Sequence, residues 1–135
     1  MNRISVLITL ALLIGTSCKK QRSDLYPPNP GIQRKVQFSL YTDKDFSNES
    51  KNITFEVFIE NSMNQVLWDS TLTTMKIKDI PDQAHKIVIE KRVPDNNSSL
   101  LRVGFRYSIE NVGNSWYIDS SGAGATFKEV EFNFQ

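Results

Sequence analysis

One Cys, one His and a handful of aromatic and charged residues carry whatever chemistry this chain could do. His85 stands between Ala84 and Lys86, at the start of a strand-like run. As a general base it would need a nucleophile and an orienting partner beside it in space. The nucleophile turn G-x-S-x-G is missing: the nearest stretch, Gly113-Asn114-Ser115-Trp116-Tyr117, lacks the second Gly that permits the strained turn. His85 therefore reads as an exposed histidine, and the chain as a protein that is not an enzyme. Asp43, Asp45, Asn48 and Glu49 could offer oxygens to calcium, which takes six to eight. Their spacing lacks the Gly and terminal Glu of an EF-hand, and Lys44 and Lys51 dilute the charge, so a solvated loop without metal is expected. Residues 121–126, SGAGAT, lack the Lys and the following helix of a phosphate loop and read as a hairpin loop. No cofactor is implied.

What remains is aromatic and charged surface. Trp116 and Tyr117 are adjacent, so on a strand they face opposite ways and one of them points outward, just after the Asn111–Asn114 turn and near a sandwich end where loops gather. Phe58 falls on the polar side of its strand. These three are the candidate ligand-binding residues, for glycan or peptide, because Trp and Tyr contribute most per residue to such contacts. Arg102 and Arg106 share a face with Gly104 between them, a notch that could meet an anion but that reads better as a solvated face paired with Glu110.

The overall charge excludes some partners. Sixteen Lys+Arg stand against 15 Asp+Glu, a net charge of +1. Nucleic-acid binders are clearly basic, so no nucleic acid is expected. One Cys excludes an intrachain disulfide and any multi-Cys zinc site.

The first residues read as an address. Arg3 opens MNRISVLITLALLIGTSCKK, and residues 4–14 are apolar apart from Ser5 and Thr9. That run of about 11 residues is too short for a bilayer-spanning helix, which needs roughly 20. It fits the apolar region of a secretory signal, roughly 7–15 residues. Gly15, Thr16 and Ser17 are small, and Cys18 follows at once. The stretch Gly15-Thr16-Ser17-Cys18 resembles the lipobox of bacterial membrane lipoproteins, with Gly15 where that box usually holds an aliphatic residue. The resemblance implies cleavage before Cys18, lipidation of Cys18, and membrane attachment through the lipid. Removing residues 1–17 also removes Arg3 and brings the side-chain charge to zero. Acyl chains at about 0.8 kcal/mol per buried CH₂, not charge, would then hold the protein on the membrane.

Residues 18–32 follow as the lipidated Cys and an extended tether, since Pro27, Pro28 and Pro30 favour polyproline II. Surface-exposed lipoproteins of some Gram-negative groups carry acidic residues after the Cys; here Lys19, Lys20 and Arg22 stand there instead. The expected location is the cell envelope, at the outer membrane, with the periplasmic face favoured over the surface.

Residues 33–135 form the third unit. Val36, Phe38 and Leu40, then Ile53, Phe55, Val57 and Ile59, then Leu101, Val103, Phe105, Tyr107 and Ile109 alternate with polar neighbours. Period two marks half-buried strands. Shorter strands are expected near 65–71, 74–79, 86–93, 115–120 and 126–134. Turn residues separate them, as in Asn61-Ser62-Met63-Asn64 and Asn111-Val112-Gly113-Asn114. The fold class is all-β, an antiparallel β-sandwich of about seven to eight strands, immunoglobulin-like or prealbumin-like. In this register Phe105 is core, and Arg106 on the opposite face should tolerate truncation at under about 1 kcal/mol. The functional expectation is a lipid-anchored, non-catalytic binding module with an unknown protein or glycan partner. The alternative is a structural or accessory subunit of an envelope complex.

Overall fold

A computed structural model describes residues 33–94 and 99–135; Cys18, the signal and the tether lie outside them. Eight strands appear in chain order: β1 Gln33–Tyr41, β2 Asn52–Asn61, β3 Val66–Thr71, β4 Met75–Lys76, β5 Ile87–Pro94, β6 Leu101–Ile109, β7 Gly113–Ser121 and β8 Phe127–Asn133. Each long strand lies where the alternation places it. The run at 74–79 is different: it gives the two-residue β4 and then a 3-10 turn at Ile77–Asp79. Ile77 and Ile80 are both buried. Their spacing of three suits a turn of three residues rather than a pleat of two.

The strands form two sheets, β5-β1-β8 and β3-β2-β6-β7, with β4 added to the edge of β2. The inner faces meet in one core. Val36, Phe38 and Leu40 of β1 and Val130 of β8 join Ile53, Phe55, Val57 and Ile59 of β2 and Leu101, Val103 and Phe105 of β6. The protein is thus an all-β, sandwich-like fold. Ring contacts cross between the layers: Phe38 meets Phe105 edge-on at 5.7 Å, and Phe132 meets Phe105 at 5.3 Å.

Two connections differ from the sequence expectation. The sandwich is not wholly antiparallel, because β1 pairs with β8 in parallel, Lys35 opposite Phe127 through Tyr41 opposite Asn133. Residues 122–126 are also not a hairpin. They carry the chain from β7 in one sheet to β8 in the other, with Gly124 at φ 80° making the corner. Such a parallel pair requires a crossover, here most of the chain, rather than a tight turn.

Arg34 fixes that corner. Its side chain is almost fully buried, 1% exposed, at the start of β1. Nε donates to the Ala125 carbonyl at 2.8 Å, one terminal nitrogen donates to Ser99 O at 2.8 Å, and the other donates to Gly122 O. A planar guanidinium can satisfy several divergent acceptors at once, which an ammonium does less well. It ties the entry to β6 and the exit from β7 to the first strand. Arg34→Met keeps the apolar stem and removes the donors. It should lower unfolding free energy in urea by about 2–4 kcal/mol, given ~1–3 kcal/mol for each buried polar group left unsatisfied.

Candidate functional site

The outer face of the five-stranded sheet is set by the register between β2, β6 and β7. Glu56 lies opposite Arg106, and Arg106 opposite Trp116. The next row is Phe58, Gly104 and Ile118, and the one after it Glu60, Arg102 and Ser120. In the other direction come Thr54, Ser108 and Asn114. All these residues share a face because side chains repeat every second residue.

Trp116 is the exposed aromatic ring of this face, with 67% of its surface open. It sits beside Arg106 in the middle of β7, the edge strand of its sheet, not at the end of the strand. Tyr117 points the other way and stacks on Phe132 at 5.1 Å and 15°, so its ring belongs to the interior. Phe58 faces outward as its alternation requires, yet it is 1% exposed. Gly104 opposite it has no side chain, and the Arg106 guanidinium covers the Phe58 ring at 4.1 Å. A cation over an aromatic face is attracted by the ring quadrupole and shields it from water. Of the three candidate rings, therefore, only Trp116 is presented to a ligand; Phe58 and Tyr117 are structural.

The two arginines do not pair with Glu110. Glu110 instead accepts from the Asn52 backbone at 3.2 Å and side chain at 3.0 Å. Arg106 donates to Glu56 at 2.6 Å and to Glu60, and Arg102 lies 3.7 Å from Glu60 and donates to Asn64. Glu60 is only 6% exposed, and the two guanidiniums are its ion-pair partners. Burial pulls the Arg106 pKa down, but Glu56 and Glu60 outweigh it and raise it above its ordinary value. The sequence signal that bears on this pairing, missed by the sequence reading, is a shared spacing: Glu56 and Glu60 are four apart, as are Arg102 and Arg106. Which strands are neighbours is not encoded in that spacing.

Two hollows open on this face. One, of about 300 Å³, is lined by Thr54, Glu56, Thr71, Arg106, Ser108, Asn114 and Trp116 among others. The other, of about 400 Å³, is bounded by Phe58, Glu60, Asn64, Arg102, Arg106, Trp116 and Ile118. Arg106 and Trp116 form the ridge between them.

The other chemistry-bearing residues are engaged elsewhere. Asp43 accepts from the Asn133 side chain at 2.7 Å, Asp45 from the Ser47 backbone at 2.9 Å, and Glu49 from the Lys51 backbone at 3.3 Å. The Ser47 amide holds the Asp45 carboxyl below its usual range. Among the described residues no group of three or more His, Cys, Asp or Glu is placed to hold a metal ion. His85 Nδ1 lies 2.7 Å from Asp82 Oδ1 on an exposed turn, and this bond lowers the Asp82 pKa. Among the described residues no helix is long and apolar enough to cross a membrane. Comparison of the chain with protein families, with curated proteins and with solved structures finds no match.

Proposed function

We propose that the chain is a lipid-anchored, non-catalytic protein of the cell envelope whose folded domain binds glycan on the outer face of the five-stranded sheet. The observation that carries this reading is Trp116, two-thirds exposed on β7 at the rim of a 300 Å³ hollow. An indole face accepts the C–H face of a sugar ring, and burying it there contributes apolar contact that a flat charged surface lacks. Sugar hydroxyls both donate and accept. Beside the indole stand Glu56 as acceptor, Arg106 as donor and Thr54, Ser108 and Asn114 as neutral partners. Strand-borne side chains with fixed ion-pair partners are preorganised, which reduces the ordering cost of binding.

The test is a glycan array probed with the full chain in detergent. Trp116→Ala, checked for folding by circular dichroism, should weaken binding by about 2 kcal/mol or more, as truncation of a central aromatic does. Binding that the folded variant retains in full, and that disappears at high salt, would replace the aromatic account with an electrostatic one.

The anchor supports the same reading from the sequence side and has its own test. In a lipoprotein-processing host the wild-type chain should partition with membranes and label with palmitate. Cys18→Ala should do neither. A soluble mature protein beginning elsewhere would remove the anchor.

A second reading, an accessory subunit of an envelope complex, is favoured by one edge. β3 carries Val66 and Leu67, 50% and 44% exposed, on a sheet edge with neither Lys nor Pro. Edge strands offer unpaired backbone groups for strand addition, and here the register shift opposite Ile59 and Glu60 leaves Leu67 as the extra residue of the edge. Membrane pull-downs in which Leu67→Lys loses a partner and Trp116→Ala does not would favour it.

A further inference from the structure

We propose that the site takes a chain of sugar units, a neutral oligosaccharide lying along the strands across Trp116; this rests on the glycan reading above. The two hollows flank one ridge, and each uses the same two residues, Arg106 and Trp116, as its shared wall. They extend in opposite directions along the sheet. One reaches the row of Thr54, Ser108 and Asn114, toward the turn between β6 and β7. The other reaches the row of Glu60 and Arg102, and Asn64 in the turn between β2 and β3. Ser108 and Arg102 are six residues apart on one strand, a span of about 20 Å at ~3.3 Å per residue.

A single sugar stacked on Trp116 would leave most of that span unused. The volumes, about 300 and 400 Å³, each lie near the lower bound of small-molecule sites, which run ~300–1,000 Å³. Each hollow therefore suits a short piece of ligand, and the two together suit a linked chain. Both lie on the sheet face, so neither end of the chain need terminate in the site.

Charge selects among chains. The charged groups lining the two hollows are Glu56, Glu60, Arg102 and Arg106, two of each sign, and they are paired with one another. An anionic chain would have to compete with Glu56 and Glu60 for the same guanidiniums. A neutral chain can hydrogen-bond to the outward atoms of the pairs and leave them intact.

The experiment is titration calorimetry of the full chain in detergent with maltose-type, cellulose-type and chitin-type oligosaccharides of one to six units. In the series that binds, affinity should rise about tenfold or more between the two-unit and six-unit ligands. Ile118 lines only the second hollow, whereas Arg102 also shares Glu60 with Arg106, so Ile118→Ala is the discriminating variant. The folded variant should remove most of that gain and leave the affinity for the shortest binding ligand unchanged. Affinity that is flat with chain length, or a variant that weakens every length equally, would overturn the chain proposal while leaving glycan binding at Trp116 in place. No binding in any series would overturn both.

Discussion

Gly104→Ala should cost about 3 kcal/mol or more, at the upper end of what overpacking does, and should also displace Trp116. A methyl carbon at this position would lie 2.0 Å from the Tyr117 carbonyl oxygen and 3.1 Å from Ile118 Cα. Both are backbone atoms of the neighbouring strand, so no side chain can swing aside to make room. β6 and β7 would have to separate or slip, and β7 carries the exposed indole. The same position lets Phe58 lie flat under Arg106, which a side chain at 104 would contest. Urea denaturation monitored by Trp fluorescence measures the loss. An unfolding free energy within about 1 kcal/mol of wild type would mean that the two strands have slack the structure does not show.

Phe105→Ala should lose about 3–5 kcal/mol, the range for deleting a buried aromatic ring. Phe105 is 1% exposed and touches Phe38 and Phe132 of the opposite sheet, so its removal leaves a cavity between layers. Arg106→Ala, one residue on and facing outward, should lose about 1–2 kcal/mol. That exceeds the small cost the sequence suggests for an outward arginine. Truncation uncovers Phe58 and leaves the buried Glu60 with Arg102 alone at 3.7 Å. Paired denaturation curves check both values. Equal losses at the two positions would mean the wrong face of β6 is in the core.

The strands were legible because each sheet has one face in the core, and that geometry writes a period of two into the sequence. Phe55, Val57 and Ile59 announce β2 in this way, and Val103 and Phe105 announce β6. Ile77, expected within a strand at 74–79, instead follows a spacing of three with Ile80 in a 3-10 turn. Pairing was not legible, since alternation says which face a residue takes but not which strand lies beside it. Hence Arg106 was matched with Glu110 on its own strand's extension, while its partners are Glu56 and Glu60 on the neighbour. The aromatic pair shows the same boundary. Alternation requires that Trp116 and Tyr117 diverge; only the position of Phe132 across the core decides that Tyr117 is the inward one.

The parallel pairing of β1 with β8 has a consequence for biosynthesis. Lys35 meets Phe127, so the central strand of its sheet waits for the last strand of the chain. Ribosomes add roughly 5–20 residues per second, and the intervening segment thus takes on the order of 5–20 s to make. During that interval one edge of β1 has no native neighbour, and no shorter nascent chain can complete the layer. Closure of this three-stranded layer is therefore a late, long-range step, while the inner side chains Val36, Phe38 and Leu40 can already pack against β2 and β6.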